Sequence, residues 1–175
     1  EVWFPNYDEI YPREPTQISA GAVGELYEGA ARPGHFAGVL TVVNRLFEIV
    51  KPSAAVFGEK DFQQLWLIKN YFKKFEIVAV PTVREFDGLA LSSRNIRLTQ
   101  ADRVAALIIS KALKDPTRMH EILATEPAFK LDYAEIIDEK TFQKASATTQ
   151  NKRAIIAGWV NGVRLLDNAV VEPNS

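Results

Sequence analysis

Helical and strand-like patterns alternate in the first half of the chain. Apolar residues recur over residues 36–50 with the spacing of one helix face, and Pro52 ends that helix. A second helical pattern covers residues 62–72. The uninterrupted apolar runs 54–57 and 77–80 are typical of strands buried on both faces of a parallel sheet. This order predicts part of a right-handed β-α-β winding and therefore an α/β fold.

Two strands are too few for such a sheet. The segment Val2-Trp3-Phe4 is the other candidate strand in this half, and the chain starts at Glu1 rather than at Met. We therefore expect the chain to begin partway through a longer protein, with further N-terminal strands of the sheet outside it.

The pattern after about residue 85 is that of a small α+β domain. Residues 85–88 have turn chemistry, and residues 91–95 form a polar loop without periodicity. Thr99 and Asp102 have the spacing of a capping box, which predicts a helix as far as Leu113.

A second helix and three strands are predicted for the rest of this domain. Asp115 is a candidate N-cap and Pro116 a candidate first helical residue, so a helix is expected from there through residue 123. Residues 131–137 alternate as a strand does, and residues 154–171 read as two strands joined at Asn161-Gly162 by a type I′ turn. The predicted domains are residues 1–85 and 86–175.

The turn Gly58-Glu59-Lys60-Asp61 is the first candidate site. It joins a buried strand to a helix at the carboxyl edge of the sheet, where open α/β sheets bind ligands. Gly58 permits close approach of a ligand, Lys60 supplies a charge suited to phosphate, and Asp61 can accept hydrogen bonds from ribose hydroxyls. An ordinary strand-to-helix turn, whose acids stabilise the helix N-terminus, is the equally open alternative.

Ser92, Ser93 and Arg94 are the second candidate. Two hydroxyls, loop N–H groups and a guanidinium in a row suit the oxygens of a polyphosphate, although a serine-rich turn with a surface arginine has the same sequence. If both candidates are functional, Lys60 and this loop must converge on one polyanion-sized cleft.

Gln64 and His35 are weaker candidates. Gln64 follows Lys60 by one helical turn, and its amide can orient a hydroxyl and a carboxylate, whereas a solvated glutamine is the commoner case. His35 follows Pro33-Gly34 at the start of the long helix, where it can hydrogen-bond a substrate or serve the structure alone.

Charge and composition narrow the function classes. The 175 residues include 21 Lys and Arg against 22 Asp and Glu, a net charge of −1 that excludes nucleic-acid binding by bulk positive charge. The chain has no cysteine, which excludes disulfides and thiolate catalysis and fits a reducing compartment. Its two histidines are too few for a multi-histidine metal site. No apolar run is long enough to span a membrane.

Several ordered motifs together resemble the pantothenate synthetase (pantoate–β-alanine ligase) family. The resemblance spans nearly the whole chain but only the latter part of the family's length, and the family's His-x-Gly-His segment does not occur in this sequence. The motifs are Arg32-Pro33-Gly34-His35-Phe36-Ala37-Gly38-Val39, Phe57-Gly58-Glu59-Lys60-Asp61-Phe62-Gln63-Gln64, Pro81-Thr82-Val83-Arg84-Glu85, Asp87-Gly88-Leu89-Ala90-Leu91-Ser92-Ser93-Arg94-Asn95 and Arg164-Leu165-Leu166-Asp167-Asn168.

The resemblance implies an ATP-dependent ligase that joins pantoate to β-alanine through a pantoyl adenylate, releasing AMP and pyrophosphate, with Mg²⁺ as the expected ion. It also implies a cytoplasmic homodimer. Its fold is a Rossmann-like, nucleotidyltransferase-type domain followed by a small domain that covers the nucleotide. Without the His-x-Gly-His segment, the chain by itself is expected to be inactive.

The resemblance also assigns roles to particular residues. Lys60, Ser92, Ser93 and Arg94 form the implied catalytic set, with Lys60 at the phosphates. Pantoate is assigned to Gln64 and His35, and no residue is assigned to a metal. The implied ATP contacts are Gly58, Glu59, Lys60, Asp61, Val83, Leu91, Ser92, Ser93 and Arg94, with Asp61 at the ribose and Val83 at the adenine.

Two other functions stay open at this point. Another enzyme that transfers adenylyl or nucleotidyl groups can use the same scaffold, because fold alone does not choose a substrate. A truncated, non-catalytic nucleotide-binding module is the second alternative.

Overall fold

The structure is a computed structural model that describes residues 2–172. These residues form two compact units. The first runs from the start of the described chain to Gly58 and continues with Phe62–Val80. The second combines the turn Glu59–Asp61 with the described residues from Pro81 onward. No helix in the described part of the chain is both long and apolar enough to cross a membrane.

The first unit is built on a parallel strand pair. Strands β1 (Ala54–Gly58) and β2 (Glu76–Val80) pair in parallel, from Ala54↔Glu76 to Gly58↔Val80, as the β-α-β pattern predicts. The long helix α3 follows Gly34, whose φ of 78° a glycine adopts at no steric cost. The elements are α1 (Tyr7–Ile10), α2 (Glu28–Ala31), α3 (His35–Val50), β1 (Ala54–Gly58), α4 (Phe62–Tyr71) and β2 (Glu76–Val80).

The core of this unit lies on one face of the strand pair. Phe36, Leu40 and Phe47 of α3 are buried with Ile68 of α4, and Phe57 of β1 packs against this cluster. The stripe of α3 is therefore the helix face that the periodicity predicts.

Two expectations for this unit are wrong. Both strands alternate between exposed and half-buried positions, so they are not buried on two faces; Val56 is 65% exposed. Among the described residues their sheet has only these two strands, and Val56, Val78 and Val80 on one of its faces are exposed. Residues 2–4 form no strand, and Val2 and Phe4 are 75% and 88% exposed. Three apolar residues in a row fit a strand by propensity, but only pairing with a neighbour creates one.

The second unit packs helices on a three-stranded antiparallel sheet, whose strands lie in the same order as in the chain. Asn161 and Gly162 join the last two strands with φ values of 46° and 75°, the left-handed pair that a type I′ turn requires. The elements are α5 (Gln100–Lys114), α6 (Met119–Leu123), β3 (Phe129–Asp138), β4 (Lys152–Val160) and β5 (Val163–Val171). The predicted strands and hairpin are confirmed.

Alternation along β4 and β5 separates the two faces of this sheet. Ala154 and Ile156 of β4, with Val163 and Leu165 of β5, join the core that includes Ile109 of α5. The intervening positions, which include Arg153, Arg164 and Asn168, lie on the opposite face. Polar residues buried at such positions need partners, and these partners define the site described below.

Two local predictions in this unit need correction. Residues Ser93–Arg97 form a 3₁₀ helix rather than an irregular loop, and the Ser92 hydroxyl caps it. Pro116–Arg118 is also a 3₁₀ turn, and α6 begins only at Met119. Asp115 makes no capping hydrogen bond to the backbone, since its side chain accepts one from the Thr117 hydroxyl instead.

The capping box of α5 gives a testable stability effect. Asp102 N–H donates to Thr99 Oγ1 (3.2 Å), and Thr99 N–H donates to Asp102 Oδ2 (3.0 Å). The Thr99 hydroxyl also holds the pKa of Asp102 below its usual range. We expect Thr99→Ala to lower the free energy of unfolding by about 1 kcal/mol in urea titrations, while Gln100→Ala, one exposed position further, has little effect. Equal stability of both variants would contradict the cap.

Candidate anion-binding site

A pocket in the second unit brings three of the predicted site residues together. Lys60, Ser92 and Arg94 line it, along with Asn95 and Arg164. Lys60 comes from the turn after β1, and the other two predicted residues come from the segment before α5. Residues about thirty positions apart therefore line one pocket, whose volume of about 10 Å³ holds about one water molecule. That this pocket takes a polyanion stays a prediction.

The turn that carries Lys60 is held by β5. Asn168 Nδ2 donates to the carbonyl oxygens of Glu59 (3.0 Å) and Lys60 (2.9 Å). Asn168 is only 5% exposed, and its Oδ1 accepts a hydrogen bond from Arg153 Nη1 (2.6 Å). The backbone position of Lys60 is thus fixed by a buried amide.

Local hydrogen bonds orient the Ser92–Arg94 segment. The backbone N–H of Arg94 donates to Ser92 Oγ (3.2 Å), the cap of the 3₁₀ helix. The guanidinium of Arg94 donates through Nη1 to the carbonyl oxygen of Arg164 on β5 (3.2 Å). This segment and the Lys60 turn are therefore both hydrogen-bonded to residues of β5.

The charges around the pocket are unequally compensated. Arg164 forms an ion pair with Asp132 (2.6 Å), and Asp167 forms one with Arg84 (2.6 Å). Within the described residues, neither Lys60 nor Arg94 has a carboxylate partner. Two residues that line the pocket therefore carry positive charges with no carboxylate partner among the described residues, and such charges favour a bound anion.

Asn95 adds an unused acceptor to the same wall. Its Nδ2 donates to Glu85 Oε1 (2.6 Å) and to the carbonyl oxygen of Ala90 (3.0 Å). Its Oδ1 is buried and accepts no hydrogen bond from the part of the chain that the structure describes. A buried acceptor left unpaired costs about 1–3 kcal/mol, so a donor from a bound molecule would be stabilised there.

Arg103 of α5 fixes the loop that precedes the pocket residues Leu89 and Ala90. It donates to Asp87 Oδ2 (2.6 Å) and to Glu85 Oε2 (2.5 Å). These hydrogen bonds hold the pKa values of both carboxyl groups below their usual range and raise the pKa of Arg103. Asn95 therefore meets a Glu85 side chain that is already ionised and held in place.

The pH dependence of stability tests this Arg103 arrangement. Carboxyl groups with depressed folded pKa values contribute stability above their unfolded pKa of about 4, and that contribution is lost as the pH falls through the folded values. We expect the stability advantage of the wild type over Arg103→Met to be largest at pH 7 and to shrink towards pH 3 in urea titrations. Arg118→Met, which removes an exposed ion pair with Glu121, serves as the control. A constant advantage of the wild type across this range would contradict the arrangement.

Other predicted ATP contacts lie outside the pocket wall. Val83 and Leu91 are 61% and 54% exposed, and Leu91 N–H donates to the carbonyl oxygen of Val83 (2.9 Å). Ser93 is exposed. In the turn, Gly58 and Asp61 are exposed and Glu59 is half-buried. The Glu59 carboxylate lies 3.9 Å from Arg153 Nη1. Their assignment to ATP stays a prediction.

The residues predicted for pantoate lie in the first unit. His35 opens α3 and is half-buried, with its ring centroid 5.2 Å from that of Phe36. Gln64 is half-buried on α4. Their assignment to pantoate also stays a prediction.

Sequence reasoning missed the role of Gln63, the neighbour of Gln64. Gln63 is 5% exposed, and its Nε2 donates to the carbonyl oxygens of Val23 (2.7 Å) and Leu26 (2.8 Å). Its Oε1 accepts from the N–H of Glu28 (3.1 Å). Of the two adjacent glutamines, one therefore fixes the segment 23–28, which leaves the other with the more exposed amide.

Asn168 and Arg153 were missed as well. A signal exists in the sequence, since Arg164, Asp167 and Asn168 interrupt a strand whose other positions are apolar. Such polar residues in a strand paired with another core strand indicate specific partners, but the sequence does not say which.

The residues of this site do not fit a metal ion held by the protein. Among the described residues, no group of three or more His, Asp or Glu side chains is close enough together to bind one. The pocket presents Lys60 and Arg94, and the carboxylate of Asp167 there is already paired with Arg84. The Mg²⁺ that the family resemblance implies is therefore not assigned to these residues.

Fold and site together define a mixed α/β protein with a pocket lined by two cationic side chains that have no carboxylate partner among the described residues. A family model described as pantoate-beta-alanine ligase matches residues 1–170. The chain belongs to this family.

Named relatives support the assignment. The chain is 42% identical over 187 residues to a pantothenate synthetase of Saccharopolyspora erythraea, covering 97% of the chain and 61% of the relative. It is 43% identical to one of Acidothermus cellulolyticus, covering 95% of the chain and 62% of the relative. The chain thus spans about three-fifths of the length of these curated relatives.

Solved structures show the same fold. The pantothenate synthetase of Thermus thermophilus matches with a TM-score of 0.87 at 39% identity, over 97% of this chain and 68% of that one. The Francisella tularensis pantoate-beta-alanine ligase, complexed with beta-gamma ATP and beta-alanine, matches with a TM-score of 0.67 at 32% identity, over 93% and 61%. The predicted mixed α/β fold, a parallel sheet followed by a small domain with an antiparallel sheet, is confirmed.

Proposed function

We propose that the protein acts in the ATP-dependent condensation of pantoate with β-alanine, which yields pantothenate, AMP and pyrophosphate. Family membership supports the reaction, and one observation supports the site. Lys60 and Arg94 line the same pocket, and neither has a carboxylate partner among the described residues. Two free cations beside a serine hydroxyl suit the phosphates of ATP.

The proposed reaction has two steps. The pantoate carboxylate attacks the α-phosphorus of ATP and displaces pyrophosphate, which forms pantoyl adenylate. The amine of β-alanine then attacks the acyl carbon and displaces AMP, losing a proton. Neither step needs a covalent bond to the protein.

The role we assign to the pocket is electrostatic. Negative charge grows on the α-phosphate oxygens and on the departing pyrophosphate, and fixed cations stabilise it without reorganising. Lys60 and Arg94 supply the cations, and the Ser92 and Ser93 hydroxyls are additional donors. Ser92 is the better placed of the two because it lines the pocket and caps the following 3₁₀ helix.

The remaining assignments complete the proposed site. The exposed apolar side chains of Val83 and Leu91, linked by a backbone hydrogen bond, form a surface suited to an adenine ring. Asp61 is exposed in the turn, where its carboxylate can accept from ribose hydroxyls. Gln64 and His35 are assigned to pantoate. A homodimeric, cytoplasmic enzyme completes the proposal on the strength of the family resemblance.

A fusion enzyme tests the proposal directly. In it, this chain replaces the matching part of the Saccharopolyspora erythraea pantothenate synthetase, so that the region outside the match is also present. We expect pantoate-dependent exchange of radiolabelled pyrophosphate into ATP, followed by pantothenate formation when β-alanine is added. The unmodified S. erythraea protein is the positive control.

The alternatives give different results in the same assay. Exchange that does not depend on pantoate would indicate another adenylating enzyme. ATP binding by a folded fusion enzyme without any exchange would indicate a non-catalytic nucleotide-binding module. Either result would contradict the proposed function.

A further inference from the structure

Asn168 lies outside the residues assigned to ATP or pantoate, yet its side chain forms hydrogen bonds to the backbone of the Lys60 turn. Its side chain donates from one nitrogen to the carbonyl oxygens of Glu59 and Lys60, at 3.0 and 2.9 Å. Both acceptors belong to the backbone of the turn. Asn168 therefore fixes two consecutive peptide groups rather than a single side chain.

Both the amide nitrogen and the amide oxygen of the Asn168 side chain form hydrogen bonds. Its two N–H donors meet the two carbonyls, and its Oδ1 accepts from Arg153 Nη1 (2.6 Å). Arg153 is itself 5% exposed, and its Nε donates to Glu139 Oε1 (2.5 Å). Only a side-chain amide combines two donors and an acceptor in one planar group, so Asp at this position would keep the shape and lose the donors.

The backbone of Asn168 is anchored as well. Its N–H donates to Asp167 Oδ1 (2.8 Å), and the same carboxylate accepts hydrogen bonds from both terminal nitrogens of Arg84 (2.6 and 3.1 Å). Buried, fully paired polar networks of this kind hold a single geometry, because each broken bond leaves a desolvated group unpaired.

Peptide geometry carries this restraint to the other side of the turn. The described chain has no cis peptide bond, and in a trans peptide the N–H points opposite to the preceding carbonyl. With the Glu59 and Lys60 carbonyls directed at Asn168, the N–H groups of Lys60 and Asp61 point away from β5. The hydrogen bonds from Asn168 thus fix the direction in which the Lys60 side chain leaves the backbone.

We propose that Asn168 is a positioning residue, which clamps the Glu59 and Lys60 carbonyls so that the Lys60 ammonium is pre-aligned with a bound polyphosphate. This inference rests on the proposed function of Lys60 and extends it to a residue that does not line the pocket. The polar interruption of β5 at Asn168 is explained by this role rather than by the fold alone.

Pyrophosphate is the probe for the test, since it carries the charge that Lys60 is proposed to bind. Isothermal titration calorimetry is performed on the full chain as wild type, Asn168→Asp, Asn168→Ala and Lys60→Ala, and on Lys60→Ala combined with Asn168→Asp. The Asn70→Asp variant is the matched control, because Asn70 is exposed and donates only to the Trp66 carbonyl within α4. Hydrogen exchange of peptides covering residues 58–64 reports on the order of the turn.

We expect Asn168→Asp and Asn168→Ala to weaken pyrophosphate binding about tenfold or more. Both changes should also speed hydrogen exchange in residues 58–64. In Asn70→Asp we expect the affinity and the exchange rates of the wild type. If Asn168 acts through Lys60, the Asn168→Asp change has no further effect on affinity once Lys60 is alanine. If Asn168 had a merely structural role, Asn168→Asp would instead weaken pyrophosphate binding equally in the wild-type and Lys60→Ala backgrounds, or it would leave the affinity unchanged.

The outcomes separate this inference from the proposed function. If the wild-type chain and Lys60→Ala bind pyrophosphate equally, or neither binds it, the proposed function of Lys60 fails and the inference fails with it. If Lys60→Ala loses binding while both Asn168 variants retain it, only the positioning role is overturned. Unchanged exchange in residues 58–64 of both folded Asn168 variants would also overturn it.

Discussion

Replacing Lys60 by alanine in the fusion enzyme is expected to slow pantoate-dependent pyrophosphate release by about 10²–10³-fold. Lys60 lines the pocket, and no described carboxylate pairs with its ammonium. On the proposed function, its removal takes away one of the two cations that stabilise the developing phosphate charge. Folding should survive, because the side chain is only half-buried and lies in a turn. Single-turnover measurement of pyrophosphate release gives the rate, and urea titration gives the stability.

Lys73→Ala is the matched control for this prediction. Lys73 is an exposed lysine that follows α4 and lies outside the pocket wall. We expect its removal to leave the rate within about twofold of the wild type. Near-normal pyrophosphate release by Lys60→Ala would refute the role assigned to this lysine.

The second large effect concerns stability. Asp167 is 4% exposed and accepts from Arg84 Nη1 (2.6 Å), Arg84 Nη2 (3.1 Å) and the N–H of Asn168 (2.8 Å). Asp167→Ala leaves the guanidinium without its counter-ion and a buried N–H without its acceptor. We expect the free energy of unfolding to fall by about 3 kcal/mol in urea titrations.

A double substitution provides the internal control. In Asp167→Leu combined with Arg84→Met, both members of the pair are replaced by apolar side chains, so no unpaired charge remains. This double variant should be more stable than the sum of the two single effects predicts. Additive losses, or an Asp167→Ala variant as stable as the wild type, would show that the pair does not hold β5 to the loop at Arg84.

Much of the fold follows from local patterns because the responsible forces are local. The stripe of α3, the Thr99–Asp102 capping box and the Asn161-Gly162 turn each depend on residues within a few positions of one another, and the structure has all three. The burial of β1 and β2 was predicted wrongly for the opposite reason. Whether a strand face is covered depends on neighbours in space, and an apolar run does not specify them.

The site shows the same division. Lys60, Ser92 and Arg94 could be selected from the sequence because their chemistry suits phosphate, and the structure places them in one pocket. Asn168 could not be selected, since it acts on the Lys60 turn from 108 positions away along the chain. Gln63 and Gln64 are adjacent and chemically identical, and only the structure shows that Gln63 is the one used internally.

The central claim is that Lys60 and Arg94 bind one polyanion between them. Calorimetric titration of ATP into the fusion enzyme, its Lys60→Ala and Arg94→Ala variants and the double variant tests this directly. The account predicts that each single change weakens ATP binding about tenfold or more. It also predicts that the double variant loses less binding free energy than the sum of the two single losses. ATP affinity that is unchanged in both single variants would contradict it.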